Sequence, residues 1–315
     1  MAIDGPATDE ESEARAGRTA PPARDASLLD AVSDAFLALD ASWRVTYANR
    51  EAARLNGLTP EALLGRSHWD IWPETIGTEV ERIYRRVVAE RTPAHFEHFY
   101  PLSGVWHEVS AYPADGGGLS IFYRDVTDRR RADRAARLLS DVAVLLASAA
   151  DERAQHEALA RALVPTLADW CVIDVVDEAG TVRRAAYAHG DPAMAATLRE
   201  LAERFPPLAH RPTLARDTVA SMTSTLRKDV PDASIDEMTR DPEQAHLVRA
   251  LGMRSSIVVP MLLRGRLLGV IALVSSSRRF DDTDVGLAEE LARRAALAME
   301  IARASAAALA ARAAA

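Results

Sequence analysis

One cysteine, Cys171, in 315 residues excludes an internal disulfide framework and any thiolate metal cage. One lysine, Lys228, leaves arginine to carry nearly all the positive charge, a trait of genome composition and not of chemistry. No stretch approaches the ~18 uninterrupted apolar residues that a membrane span requires; candidates such as Val270 to Val274 have the length of core strands. The opening MAIDGPATDE has neither a basic start nor an apolar segment, so no signal peptide and a cytoplasmic address are expected. Lys plus Arg number 38 against 46 Asp plus Glu, and the net charge of −8 argues against a broad nucleic-acid footprint. What remains is an ordinary soluble composition, 48% hydrophobic and 27% charged. At about 100 to 200 residues per domain the length suggests two domains.

Residues 1–26 mix Asp, Glu, Pro, Gly and Arg with few large apolar groups, and a disordered tail is expected there. Helical spacing begins near Ser27, and strands are expected at Phe36 to Leu39 and Val45 to Ala48 around a polar turn. Two short helices follow, the second opened by Thr59 and Pro60. Val80, Ile83, Tyr84, Val87 and Val88 mark a longer amphipathic helix that stops before Pro93. Three strands come next, Ala94 to Tyr100, Val105 to Tyr112 and Leu119 to Arg124, with Gly116 to Gly118 turning the chain between the last two.

Beyond Asp128, Ala135, Leu138, Val142, Leu145 and Ala149 step by three and four, as a heptad seam does. Strands at Trp170 to Val176 and Val182 to Ala188 lead through helical material to about Phe205 and an irregular polar stretch to about Asp241. The runs Ile257 to Leu263 and Leu267 to Val274 form an almost wholly apolar hairpin, so both of its faces should be covered. A last helix opens on Asp281 and Asp284, stapled by Phe280 and Val285, and carries a second seam through Ala288, Ala292, Ala295, Met299, Ala302, Ala306 and Leu309.

No nucleophile, base and orienting group stand at a spacing that suggests catalysis, and no glycine-rich loop opens a helix to cradle phosphate. Cys171, inside an apolar strand, reads as a buried structural thiol, and His156 as a solvated surface histidine. Arg129, Arg130, Arg131 and Arg134 read as a solvated flank offsetting Asp125, Asp128 and Asp133, in preference to a nucleic-acid or membrane contact. One constellation stands out. If Leu102 and Ser103 centre a hairpin, His98 lies opposite His107, on the face that holds Phe96, Tyr100, Val105 and Val109. Two imidazoles pointing into the interior could hold a ligand carboxylate, a haem edge or a metal, or could bond to each other, to Tyr100 or to water.

These residues carry a resemblance. The run AFLALDASWRVTYANREAARLNGLTPEALLGRSHWDIWPE with GLSIFYRDVTDRRRAD resembles a PAS domain over 27–130. The resemblance implies that Asn49 fixes the loop into the helical segment, and that Asp125 and Thr127 form an exit motif coupling the core to the outgoing helix. LADWCVIDVVDEAGTVRRAAYAHGDP, GMRSSIVVPMLLRGRLLGVIALVSSS and RRFDDTDVGLAEELARRAALAMEIAR resemble a GAF domain, in which a strand proline such as Pro260 is usual. The PAS-then-GAF order is similar to the sensory half of bacterial histidine kinases and of sporulation-type serine/threonine phosphatases. Departures matter too: the PAS segment lacks a flavin-adduct cysteine, and 79–91 lacks a haem-ligating histidine. The GAF segment lacks the bilin cysteine, the cyclic-nucleotide Asn-Lys-x-Phe-Asp-Glu pattern and the several cysteines of sulfoxide reductases, so no cofactor transfers residue by residue.

The expected fold is α+β: two sensor domains, each an antiparallel sheet with flanking helices, with a helical linker at 131–150, the GAF domain at 151–303 and a helical extension at 304–315. The ending ASAAALAARAAA reads as a helix cut mid-course or fraying, and a longer reading frame continuing the seam would favour a kinase or phosphatase domain beyond it. The expected function is cytoplasmic sensing of a small molecule or partner, relayed through dimeric helices to a histidine kinase, with no catalysis within the 315 residues. A phosphatase sensor or a GAF-based enzyme is the alternative. A homodimer through the linker and C-terminal helices is expected, without nucleic acid or membrane.

Overall fold

The computed structural model describes residues 33–313 except 102, 150, 178, 208–213 and 240; the expected tail at 1–26 and the helical start at Ser27 lie outside them. The described chain divides into two compact units between Ala132 and Asp133.

In the first unit, Asp40 Oδ1 accepts the N–H groups of Ser42 and Arg44 and so closes the turn between β1 (Ala35–Leu39) and β2 (Val45–Ala48). Four helices follow: α1 (Arg50–Leu55), α2 (Pro60–Leu63), α3 (His68–Ile71) and α4 (Glu79–Glu90). Thr59 caps α2 as its sequence predicts, accepting from Ala62 N. α4 buries Val80, Ile83, Tyr84 and Val87, and ends where Arg91 turns left-handed at φ 48°, two residues before Pro93. Each buried aliphatic there contributes about 1.5–3 kcal/mol relative to exposure. The strands β3 (Ala94–Tyr100), β4 (Val105–Pro113) and β5 (Leu119–Asp125) complete an antiparallel sheet of order β2-β1-β5-β4-β3. The helices cover one face of it, over Leu37, Leu39, Val109, Ala111 and Ile121.

The helix α5 (Thr127–Ser148) starts four residues before the expected linker and leads into the second unit. There α6 (Glu152–Leu163), β6 (Trp170–Val176), β7 (Val182–His189), α7 (Pro192–Arg204), α8 (Arg216–Ser221), β8 (Thr225–Arg227), α9 (Asp232–Met238), α10 (Pro242–Leu251), β9 (Ser255–Leu263), β10 (Arg266–Ser275) and α11 (Asp282–Ala313) follow. The sheet order is β7-β6-β10-β9-β8, antiparallel throughout. The stretch expected to be irregular up to Asp241 holds α8, β8 and α9; their six, three and seven residues are too short for a periodic signal. β8 pairs only with Ser256 to Val258, so farther along β9 is an edge, where Pro260 removes no ladder bond to β8.

Both faces of this sheet are covered, as its apolar strands predict. Leu138, Val142 and Leu146 of α5 join Leu159 and Leu163 of α6 and Ala288, Ala292, Ala295 and Met299 of α11 over Cys171, Ile173 and Val175. On the other face α7, α9 and α10 pack Leu198, Leu201, Ile235 and Val248 over Trp170, Val172 and Val258. Leu138 and Val142 of the first expected seam and Ala288, Ala292, Ala295 and Met299 of the second are therefore buried inside one chain, whereas Leu145 is exposed. His156, expected at the surface, is buried at 2% exposure with Nε2 unpartnered, because α6 turns it inward beside the buried Gln155.

Candidate functional site

Strand register brings together residues that the sequence offered separately. His98 pairs with His107 across β3 and β4, as the hairpin arithmetic predicts, and His107 pairs with Asp125 across β4 and β5. Thus His98, His107 and Asp125 form one transverse row, and Thr127 stands two residues beyond its end. The imidazoles are only half-buried, contrary to the expected interior placement, because they lie near the β3–β4 hairpin, away from Val109 and Ala111 under the helices. Their rings pack on tyrosines: His98 lies edge-on to Tyr100 at 4.8 Å, Tyr100 is 5.0 Å from His107, and His107 is 5.3 Å from Tyr123. Burial pushes both imidazoles below the ordinary histidine range, while Asp125 pulls His107 upward and His98 pushes it further down. Among the described residues no three His, Cys, Asp or Glu side chains gather as a metal set.

At the end of the row the exit is clamped to the sheet. Thr127 N–H donates to Asp125 Oδ1 at 2.8 Å, Trp106 N–H donates to Thr127 Oγ1 at 2.9 Å, and Val126 N–H donates to Trp106 O at 2.8 Å. Both backbone polar groups of Trp106 are thereby held by the first residues of the exit. Burial raises the Asp125 carboxyl, but the Thr127 hydroxyl and amide and the neighbouring His107 bring it below its ordinary range. Arg130 stacks 3.7 Å from the Trp106 ring centroid and bonds Glu97, while Arg129 reaches Glu97 at 2.8 Å and Glu108 at 3.4 Å. The arginine cluster thus answers Glu97 and Glu108 on the sheet, not only the aspartates of its own segment. These groups are a third to a half exposed, so each ion pair is worth little alone, and the network with its cation–π contact carries the hold.

Asn49 sits elsewhere in this unit, fully buried. Its Oδ1 accepts from Phe36 N and Ala52 N, and its Nδ2 donates to Asp34 O, all at 2.9 Å, so it caps α1 and ties it to the start of β1.

No local pattern singles out His68. It is 4% exposed, with neither ring nitrogen hydrogen-bonded, and is enclosed by Trp69, Trp72 and Tyr84 at 4.8 to 5.6 Å. Burial lowers it from 6.5 to about 4. The unfolded chain takes up this proton below about 6.5 and the folded domain only near 4, so the unfolded state binds more protons across that window. The stability of the first unit should therefore fall as pH drops from 6.5 to 4, by about 3 kcal/mol from this group. His68→Phe should flatten that dependence in urea titrations at pH 4.5 and 7; an unchanged slope would contradict the assignment.

The second unit holds a cavity of about 80 Å³ between its sheet and α7, α9 and α10, lined by Trp170, Leu201, Phe205, Met238, Val248 and Met253 among others. Among the described residues of its lining Arg184 of β7 carries a charge, and its Nε and Nη2 bond both oxygens of Asp174 on β6, at 2.8 and 3.3 Å. An Asp inside an apolar strand was the one available sequence signal for this pair. Cys171 lies on the opposite face, fully buried, its thiol pushed up to about 12 by burial.

The PAS fold family model matches residues 29–131, and the GAF domain family model matches 129–299. Among solved structures the chain is similar to the GAF domain of a phosphoenolpyruvate-protein phosphotransferase from Coxiella burnetii, with 16% identity over 56% of this chain and 98% of that one, at a TM-score of 0.45. A similar domain of the Acinetobacter phosphoenolpyruvate-protein phosphotransferase gives 12% identity over 56% and 95%, at 0.42. No curated protein matches. With two antiparallel five-stranded sheets in the expected order and the second family model spanning more than half its length, the chain belongs to the GAF domain family and carries a PAS domain ahead of it, a pairing of sensory domains.

Proposed function

We propose that the chain is a cytoplasmic sensory module of bacterial signal transduction, in which an input held by either domain biases α5 and α11 and so regulates an effector of the histidine kinase class. The observation that carries this reading is the row His98, His107, Asp125, which ends at the clamp where Thr127 begins α5. A ligand or charge at the imidazoles changes the field at Asp125, and Asp125 holds the Thr127 amide that starts the helix. α5 then reaches the second core through Leu138, Val142 and Leu146. No described helix is long and apolar enough to cross a membrane. Catalysis belongs to the effector, and substrate turnover by the purified 315 residues would contradict that assignment.

The relay works through a homodimer. Beside the buried seam residues, the surface of α5 and α11 exposes Val144, the seam residue Leu145, Leu297 and Ile301 at 65, 38, 50 and 58%. A groove of about 980 Å³ lies on the same surface, lined by Leu146, Ala147, Leu297, Ala298 and Ile301. A ridge and a hollow on one patch are what two-fold self-pairing needs, so a second copy is the occupant. Sedimentation equilibrium should find a dimer, and Ile301→Asp should weaken it about a hundred-fold, roughly 2.8 kcal/mol, without shifting the melt. A wild-type chain that stays monomeric at high concentration would overturn the dimeric relay.

A further inference from the structure

We propose that the first domain carries a binding site for a small alkylguanidinium compound, walled by Trp43 and Trp69, closed by the Glu81 carboxylate, and held by the chain's own Arg85 until the compound displaces it. The site uses none of the residues of the His98, His107, Asp125 row and goes beyond the sensory reading above. Its two indoles belong to the β1–β2 turn and to α3, which the Arg44–Ser67 bridge and the bond from His68 N–H to Trp43 O at 2.7 Å hold together. The ring centroids are 5.0 Å apart and the planes are inclined at 52°. The guanidinium carbon of Arg85 stands 5.5 Å from one centroid and 5.4 Å from the other, shared evenly between the rings. Arg85 gives Nε and Nη2 to one oxygen of Glu81, at 2.8 and 2.7 Å, while the other oxygen accepts Gly77 N–H at 2.7 Å. Two indoles and a fixed carboxylate thus meet around one planar cation.

Two features separate this arrangement from an ordinary surface stack. Trp43 stands in the left-handed region at φ 63°, where a bulky side chain is strained and Gly or Asn is the usual occupant. Bonds from Trp43 N–H to Asp40 O and from Arg44 N–H to Asp40 Oδ1 enforce that backbone, and what the strain secures is the place of the indole. The second feature is the difference in exposure between the paired charges. The Arg85 side chain is 55% exposed and can swing into water, whereas Glu81 is 17% exposed and stays, its oxygen fixed by the Gly77 amide. The Gly77 amide and then Arg85 hold the Glu81 carboxyl below its ordinary range, so a cation is what replaces Arg85. A guanidinium repeats the pose of Arg85 on that carboxylate and, being weakly hydrated, gives up less water to the indole faces than an ammonium does.

The test titrates the full chain with methylguanidinium chloride, and with methylammonium chloride as a probe of equal charge, at constant ionic strength by calorimetry and tryptophan fluorescence. The wild type should bind methylguanidinium saturably in the millimolar range, with methylammonium about tenfold weaker. Arg85→Ala removes the resident cation from an exposed helical position and should tighten methylguanidinium binding about tenfold. Within the Arg85→Ala chain two further changes probe the walls. Trp43→Gly suits the backbone at φ 63°, Glu81→Gln keeps an acceptor for Gly77 N–H, and each should lower the affinity about tenfold while the melting transition is retained. Four results would each overturn the proposal: no saturable methylguanidinium binding by the wild type, Arg85→Ala binding no tighter than wild type, methylammonium binding as tightly as methylguanidinium, or undiminished binding by a folded Trp43→Gly or Glu81→Gln chain.

Discussion

Val142→Asp should abolish cooperative folding of the second domain. Val142 is fully buried with Leu138, Leu146 and Met299, and a carboxylate there would be desolvated without a partner. A penalty of about 5 kcal/mol or more reaches the whole marginal stability of many domains, roughly 5–15 kcal/mol. Urea denaturation should show the second transition lost while the first persists. Val144→Asp, two residues along the same helix but 65% exposed, should change stability by no more than about 0.5 kcal/mol. The contrast tests where the seam is buried. If Val142→Asp left the fold intact and only separated two copies, Val142 would face a partner chain and the intramolecular core would be wrong.

Asn49→Leu should destabilise the first domain by about 4 kcal/mol. The substitution keeps the side chain's size but leaves the N–H groups of Phe36 and Ala52, the latter the capped donor of α1, buried and unpaired, at about 1–3 kcal/mol each. Asn49→Asp retains both acceptors, loses the donor to Asp34 O, and should recover about half of the loss. Hydrogen exchange resolved by domain would locate the change at β1 and α1. A loss below about 1 kcal/mol for the leucine variant would mean that water replaces the clamp.

How much of this was legible depended on whether the determining contact was local. Thr59 with Pro60 and Asp281 with Asp284 announce helix starts because a cap is a contact over two or three residues. The His98–His107 register was readable because a short hairpin fixes every pair by its centre. Its extension to Asp125 was not, since that pairing is set across the longer Ala114–Gly118 turn, whose glycines do not announce where the pairing centres. The seams illustrate a different limit. A stripe at steps of three and four tells which side of a helix is apolar, and an alanine-rich stripe suits close approach to a sheet as well as to another helix. Periodicity therefore found Leu138, Val142 and Ala292 but could not name what they face. His156 and His68 read as polar positions in polar surroundings, and only tertiary packing encloses them. Arg184 and Asp174 are ten residues apart on paired strands, and a bulge between Ile173 and Asp174 sets their pairing, which no local pattern reports.

The relay from the first domain into α5 can be measured by comparing amide hydrogen exchange in the wild-type chain and in Thr127→Val, which keeps the shape of the side chain and removes the acceptor for Trp106 N–H. Release of the clamp should raise exchange by about tenfold or more, roughly 1.4 kcal/mol of lost protection, from Trp106 along α5 as far as Leu146. Faster exchange confined to Trp106 and the first turn of α5, with 133–148 unchanged, would show that the exit motif holds a helix end and relays nothing.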